Sequence, residues 1–389
     1  MYTGRTVFAQ VMDVIPRRAF ERCVQRYPGA RRFRSFSCYD HLLCLVFAQL
    51  TYRESLRDIE TCLRALQPKL YHVGLRGRIA RSTLADANET RDWRIFADFA
   101  QILIRHARSL YLDEPFAVAL AQTAYAFDAT TIDLCLALFP WARFRRTKAA
   151  VKLHTLLDLR GPIPTFVAIT DGKAADVTQL DGLVFEPGAF YIFDRGYTDF
   201  ARLYAITEAL AFFVIRGKRG LAYVRRVSRP VDKTTGLRSD QTIVLCGPQT
   251  ATLYPVPLRR ITYVDPETHK RFVFLTNNFT LPALQIAQLY KCRWQVELFF
   301  KWIKQHLRIK AFYGTSMNAV KTQVWSAISV YVLVAILKKA HRLERSLYEL
   351  LQILSLTLFE RAPLSQVVTA FPEHDLPEDP CNQLSLFDL

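Results

Sequence analysis

The sequence predicts a mixed α/β fold: a sheet covered by helices, preceded by a helical region and interrupted by a β-rich segment. Three features point there. Up to about residue 112, apolar residues recur at three- and four-residue spacing. From about Tyr125 they gather into short runs broken by Gly, Pro and Asp, with helical stretches between or after them. Past Pro282 the helical period returns. With 389 residues, 51% hydrophobic and 13% aromatic, the chain exceeds one ordinary core and is too apolar for disorder.

In order along the chain, residues 1–112 read as a helical domain. "YDHLLCLVFAQLTYRESLRDIETCLRAL" and "RSTLADANETRDWRIFADFAQILIRHA" both keep the helical period, the second with Ser82 or Thr83 as its N-cap. Residues 113–215 hold the strand-like runs "TAYAFDATTI", "VKLHTLLDL", "IPTFVAIT", "AFYIFDRGY" and "AFFVIRG", with "AADVTQLDGLVF" and "TDFARLYAITEAL" as helices. Residues 216–280 break that rhythm with four more runs, "LAYVRRV", "QTIVLCG", "RRITYVD" and "RFVFLTN", and read as an all-β insertion. Residues 281–360 are helical, opening at Pro282. Residues 361–389 end in an acidic, Pro-containing tail expected to be flexible.

Charge narrows the function. Lys and Arg number 52 against 35 Asp and Glu, a net charge of +17. The tail from Pro372 carries five acids and no Lys or Arg, so the body stands at +22, the sum of 17 and 5. Residues 1–113 hold nineteen Lys/Arg against eleven acids, and residues 216–275 hold twelve against four. Such uneven placement indicates a polyanion partner, with residues 1–112 as a DNA-binding domain. The eight cysteines form no C-x-x-C pair, which argues against a zinc knuckle and for reduced thiols in the cytoplasm. There is no apolar run of the signal-peptide kind at the start. The longest apolar run, Ala327–Leu337, is too short to cross a bilayer, so no membrane partner is expected.

The segment "YKCRWQVELFFKWIKQHL", residues 290–307, reads as one helix. At about 100° per residue, Tyr290, Arg293, Glu297 and Lys304 fall within one narrow arc, with Lys301 at its edge. Val296, Phe300, Ile303 and Leu307 form the neighbouring apolar face. Surface ion pairs explain such charges in part. They do not explain one carboxylate flanked by so many cations and an aromatic hydroxyl. A carboxylate that holds a metal, beside cations that hold phosphates, does. Further carboxylates end strand-like runs at Asp128 and Asp194, where turn or helix capping is the ordinary role.

These residues resemble a known family. Tyr290, Arg293, Glu297 and Lys304 match the Y-x2-R-x3-E-x6-K signature of bacterial insertion-sequence transposases of the DDE class, the IS-four type. "FDATTI" and "FDRGY" are similar to the segments bearing that family's first two catalytic aspartates. The resemblance implies an RNase H-like core split between 113–215 and 281–360, with Asp128, Asp194 and Glu297 sharing two Mg²⁺ ions, or Mn²⁺. It implies a transposase that nicks element ends, passes through a hairpin, and joins the freed 3′-OH to target DNA as a homodimer in a synaptic complex. Arg293 and Lys304, helped by Lys301, would grip phosphates, and Tyr290 would bond one through its hydroxyl. Arg216, Lys218 and Arg219 in "IRGKRG", with Lys148 and Lys152, are further candidates for DNA backbone contact, and His154 and His306 are read as structural. Tyr223, Tyr254 and Tyr263 are the insertion aromatics that could receive a flipped base. A nuclease or resolvase on the same core, and a non-catalytic DNA-binding derivative, remain alternatives. In the tail, "QLSLF" is similar to the pentapeptide that docks bacterial proteins on the replication sliding clamp, through Gln383, Leu384, Leu386 and Phe387.

Overall fold

The structure, a computed structural model, describes residues 4–27, 36–114, 116, 118–307, 309 and 312–369. The clamp-like residues Gln383, Leu384, Leu386 and Phe387 lie outside them, as does most of the 361–389 tail. The chain divides into two compact units: one from 1–113, 131–151 and 299–374, the other from 114–130, 152–298 and 375–389.

The first unit is built on helix Met317–Ala340, with residues 322–337 buried throughout. Helices Cys38–Leu50, Arg81–Thr90, Arg94–Leu110 and Leu347–Thr357 pack against it. That helix is 24 residues long, apolar enough to span a bilayer, and 94% buried over its apolar stretch. It extends well beyond the apolar run Ala327–Leu337 because its other faces are also covered, which leaves no polar stripe to mark its ends. The two long N-terminal helical stretches each divide. The first breaks between Leu50 and Leu56, where Ser55 caps the second helix by accepting from the Asp58 amide. The second breaks at Arg91–Trp93. Its first helix starts at Arg81, so Ser82 and Thr83 sit inside the first turn and neither caps it.

The second unit contains most of the sheet. Strands are β1 (Ala124–Leu134), β2 (Arg143–Arg145), β3 (Lys148–Asp158), β4 (Ile163–Asp171), β5 (Phe190–Phe193), β6 (Phe212–Arg216), β7 (Tyr223–Arg229), β8 (Leu237–Leu245), β9 (Leu258–Val264) and β10 (Arg271–Thr276). Here the order is β3-β1-β5-β6-β10-β9-β8-β7, with β4 beside β3. β1, β5 and β6 run parallel, and β6, β10, β9, β8 and β7 pair antiparallel in turn. The β4-β3-β1-β5-β6 portion has the strand order of an RNase H-like core. Helix Phe200–Glu208 covers β6 through a core that includes Leu203, Ile206, Phe213 and Tyr254.

Residues 216–280 extend the main sheet, because β10 pairs with β6, and helix Pro248–Leu253 lies among their strands. The reason is that "RFVFLTN" is buried on both faces toward its end, with Phe274, Leu275 and Thr276 consecutively buried as in a sheet interior. One sequence expectation changes here. "AADVTQLDGLVF" forms only a 3₁₀ stretch, Asp176–Gly182, not an α-helix.

Candidate active site

Strand pairing positions the two aspartates. In the parallel ladder Tyr125 lies beside Tyr191, and Phe127 beside Phe193, so the next residues, Asp128 and Asp194, leave adjacent strands at the same level. Tyr125, Phe127, Tyr191 and Phe193 are fully or almost fully buried and clamp the two strands together through ring contacts of 5.2 and 6.3 Å. Asp128 sits within β1 rather than at its end, and Asp194 follows β5 immediately. Neither caps a helix: Asp128 Oδ1 accepts only from the next amide, Ala129, at 2.8 Å, and Asp194 makes no side-chain cap to the turn it precedes.

Tyr290, Arg293 and Glu297 arrive on two helices, not one. Helix Ala283–Lys291 ends at Cys292, and helix Trp294–His306 starts anew. Between them the Arg293, Gln295 and Val296 amides bond three residues back, to Tyr290, Cys292 and Arg293 carbonyls. The chain there tightens into a turn without Gly or Pro, so no residue type announced the break. Arg293 sits in that turn. Its Nη1 donates to Asp128 Oδ2 at 2.8 Å and its Nη2 to Glu297 Oε1 at 2.5 Å. The Tyr290 hydroxyl lies 3.4 Å from Asp194 Oδ1, and its ring packs 4.7 Å from Phe274. Asp128, Asp194, Glu297, Arg293 and Tyr290 are thus brought together within the second unit.

Electrostatics reflect that closeness. Burial pushes the Asp128 carboxyl up to about 6, with Glu297 and Asp194 raising it further and Arg293 opposing them. Burial lowers the Arg293 guanidinium, but Asp128, Tyr290, Glu297 and Asp194 more than offset it, so its pKa is raised. Burial pushes the Tyr290 hydroxyl up to about 12. Asp128, Asp194 and Glu297 offer carboxylate oxygens, the ligand type a hard divalent cation prefers. As folded here, the charge between Asp128 and Glu297 is Arg293 itself. Among the described residues, no group of three or more Asp, Glu, His or Cys is arranged to hold a metal ion.

Other candidates lie elsewhere. Lys152 is not available to DNA as expected: its ammonium is bonded to Asp176 Oδ1 and to the Ala174 carbonyl, both at 2.9 Å, and its side chain is 15% exposed. β3 is an interior strand, which turns Lys152 inward to that partner. His154 is buried, bonded to Thr170 Oγ1 at 2.8 Å. In the first unit, Lys148 and Lys301 are exposed and Lys304 is half-buried. Arg216, Lys218 and Arg219 line a cavity of about 470 Å³ that Arg195, Arg260 and Arg271 also line. Tyr223 borders it beneath the Arg260 guanidinium, 5.2 Å from the ring centre. Tyr254 is fully buried and bonded to Thr207, and Tyr263 is 7% exposed, so neither presents a ring to a base.

Sequence reasoning missed Arg195, Arg260 and Arg271, which come from three separate segments, and it missed Tyr197. Tyr197 is 4% exposed, packs on Phe127 at 5.3 Å, and its hydroxyl has no hydrogen-bond partner among the described residues. The repeated pattern "YAFD" and "YIFD", with like residues paired across β1 and β5, was the available signal for the aspartate pair.

Comparison with known proteins bears on the family. The family described as Transposase DDE domain matches residues 120–333, and a domain of unknown function, DUF4372, matches residues 3–76. A Sinorhizobium fredii chain described as the transposase y4zB is 34% identical over 78% of this chain and 85% of its own length. The Geobacillus stearothermophilus transposase for insertion sequence element IS5377 is 30% identical over 58% of this chain and 57% of its own. The Synechocystis transposase for insertion sequence element IS4SA is 22% identical over 72% and 78%. The piggyBac transposase synaptic complex with hairpin DNA overlaps 97% of this chain and 86% of that one at a TM-score of 0.43 and 10% identity, too loose a likeness to carry weight.

Proposed function

The chain belongs to the DDE transposase family, and from that membership we propose that it cuts insertion-sequence ends and joins them to target DNA using Asp128, Asp194 and Glu297 to hold two Mg²⁺ ions, with Mn²⁺ able to replace them. Members of this family are DNA-binding phosphoryl-transfer enzymes that use divalent metal ions. The observation that supports the finer reading is one guanidinium, Arg293, bridging Asp128 of β1 and Glu297 of helix Trp294–His306, with Asp194 leaving the neighbouring strand level with Asp128 and beside the Tyr290 hydroxyl. Bound divalent ions supply Lewis-acid chemistry at a phosphodiester, favouring the ionised attacking oxygen and stabilising the leaving one.

The protein's own groups do the positioning. Asp128 within β1 and Asp194 just after β5 belong to two adjacent interior strands, which hold their oxygens in place. Arg293 offers a planar fork for a non-bridging phosphate oxygen, and Lys304 and Lys301 add point charges along the helix. Tyr290 stands against Asp194 and keeps its proton at neutral pH, so it can donate to a phosphate. The exposed Arg219, Lys218 and Lys148 extend the grip to neighbouring backbone phosphates. Water opens the strand and leaves a 3′-OH. That hydroxyl attacks the opposite strand to form a hairpin, and after reopening it attacks the target.

Two protomers hold two ends in the synaptic complex, Gln383, Leu384, Leu386 and Phe387 dock the tail on the replication sliding clamp, and the protein works in the bacterial cytoplasm at the nucleoid, with no membrane partner. The test uses the full chain, end-labelled duplexes carrying the inverted repeats that flank the gene, and denaturing gels. Nicks, snap-back hairpins and joined products are expected with Mg²⁺. Absence of any metal-dependent cleavage would overturn the function, and linear products alone would remove the hairpin. Clamp retention unchanged by deleting 381–389 would remove the docking.

A further inference from the structure

Arg293 is placed where a shared cation would be placed. Its two terminal nitrogens bind Asp128 Oδ2 at 2.8 Å and Glu297 Oε1 at 2.5 Å, one carboxylate on each. The guanidinium side chain is 14% exposed and Asp128 is 21% exposed, so neither charge is well solvated, whereas Glu297 is 53% exposed. The Asp128 carboxylate needs a counter-charge there, because an unpaired buried charge is strongly destabilising. The same two oxygens that bind Arg293 belong to the residues that would ligate a metal ion. An Mg²⁺ ion needs oxygens at about 2.0–2.1 Å, closer than any guanidinium permits. Ion and guanidinium therefore compete for the same lone pairs.

We propose that Arg293 is the resident counter-cation of Asp128 and Glu297, that a divalent ion must displace it, and that the displaced guanidinium is the group that then grips DNA phosphate. This rests on the metal-site reading above. Arg293 lies in the turn between two helices, and its guanidinium moves by side-chain rotation alone, with the backbone left in place. The Tyr290 ring, 5.9 Å from the guanidinium carbon, gives it a surface on which to stay after release. The consequence is positive coupling: metal ion frees the fork for phosphate, and phosphate holding the fork leaves the carboxylates to the metal ion. It also sets an order. Without DNA the site resists metal, which guards against cleavage before an end is bound.

The test uses the full chain and Mn²⁺, whose free form is followed by electron paramagnetic resonance, without DNA. Arg293→Gln is expected to bind Mn²⁺ about 10-fold more tightly than wild type, the size of a usual coupling. Arg293→Lys keeps the charge but not the two-pronged bridge, and is expected to fall between the two. In the second arm, a fluorescent generic duplex is added. It should raise the Mn²⁺ affinity of wild type by a similar factor and change that of Arg293→Gln less than about 2-fold. Equal or weaker Mn²⁺ binding by a folded Arg293→Gln overturns the exchange, and equal binding by wild type and Arg293→Lys does so if the glutamine variant fails to fold. If wild type binds no Mn²⁺ with or without duplex, the metal-site reading itself fails.

Discussion

Replacing Arg259 by leucine should destabilise the second unit by about 3–4 kcal/mol, near the lower end of the range for breaking a buried ion pair. Arg259 on β9 and Asp240 on β8 are 4% and 6% exposed. They form a two-pronged pair, Nε to Oδ1 at 2.9 Å and Nη2 to Oδ2 at 2.8 Å. The third nitrogen donates to the carbonyls of Leu281 at 2.6 Å and Asn278 at 3.3 Å, in the loop that launches helix Ala283–Lys291. Without Arg259 the Asp240 charge keeps only Arg229, at 3.4 Å, and that residual partner holds the loss below the top of the range. For a unit of this size the change lowers Tm by about 6–16 °C. Differential scanning calorimetry on the full chain is the assay, fitted with separate transitions for the two units. The double variant Arg259→Leu with Asp240→Leu removes both charges and should return to within about 1 kcal/mol of wild type. A single variant that loses less than about 1 kcal/mol, or a double variant no better than the single one, refutes the view that an unpaired buried carboxylate causes the loss.

Three further outcomes are expected. Asp128→Asn, Asp194→Asn and Glu297→Gln should each cut nicking and joining by about 10⁴-fold or more while leaving duplex binding nearly unchanged, as loss of one member of a catalytic set does; gel assays with Mg²⁺ check this, and a variant that keeps cleavage removes that residue from the site. Arg260→Ala and Arg271→Ala, which open the basic cavity, should each reduce the salt dependence of duplex binding by about 0.9 in log-log slope if they contact a phosphate, measured by fluorescence anisotropy over a salt series; an unchanged slope means the cavity does not meet DNA. His41 is fully buried against Asn88, and burial holds its imidazole down at about 3. Its folded pKa lies below its unfolded one, so its contribution is present above pH 6.5 and is lost as pH falls toward the folded value, roughly 2–3 kcal/mol between pH 6.5 and 4.5. Urea unfolding of wild type and His41→Gln over that range should show a shallower pH slope in the variant.

The residue types of the candidate site were legible through a family signature. A carboxylate flanked by Tyr290, Arg293 and Lys304 at helical spacing is hard to explain as a solvated face, whereas Asp128 and Asp194, read alone, fit ordinary caps at the ends of strand-like runs, and the resemblance is what singled them out. The parallel alternation of strands and helices likewise announced the sheet. What spacing could not convey was register and partner choice, since these depend on which buried surfaces meet. Phe127 pairing with Phe193 brings the aspartates level; a slip of one residue would turn one of them to the opposite face. The break at Cys292–Arg293 has no Gly or Pro to mark it, and it is where Arg293 meets Asp128, far away in the chain, as well as Glu297, four residues on. Lys152 read as a surface cation until Asp176 came to face it. Arg195, Arg260 and Arg271 belong to no common motif and share a cavity only because β6, β10 and β9 lie side by side. The sequence by itself determined the chemistry available, since side-chain identity and local period are written there. Only the tertiary structure decided which charges neutralise one another and which remain for a substrate, because that depends on distance and burial between segments far apart in the chain.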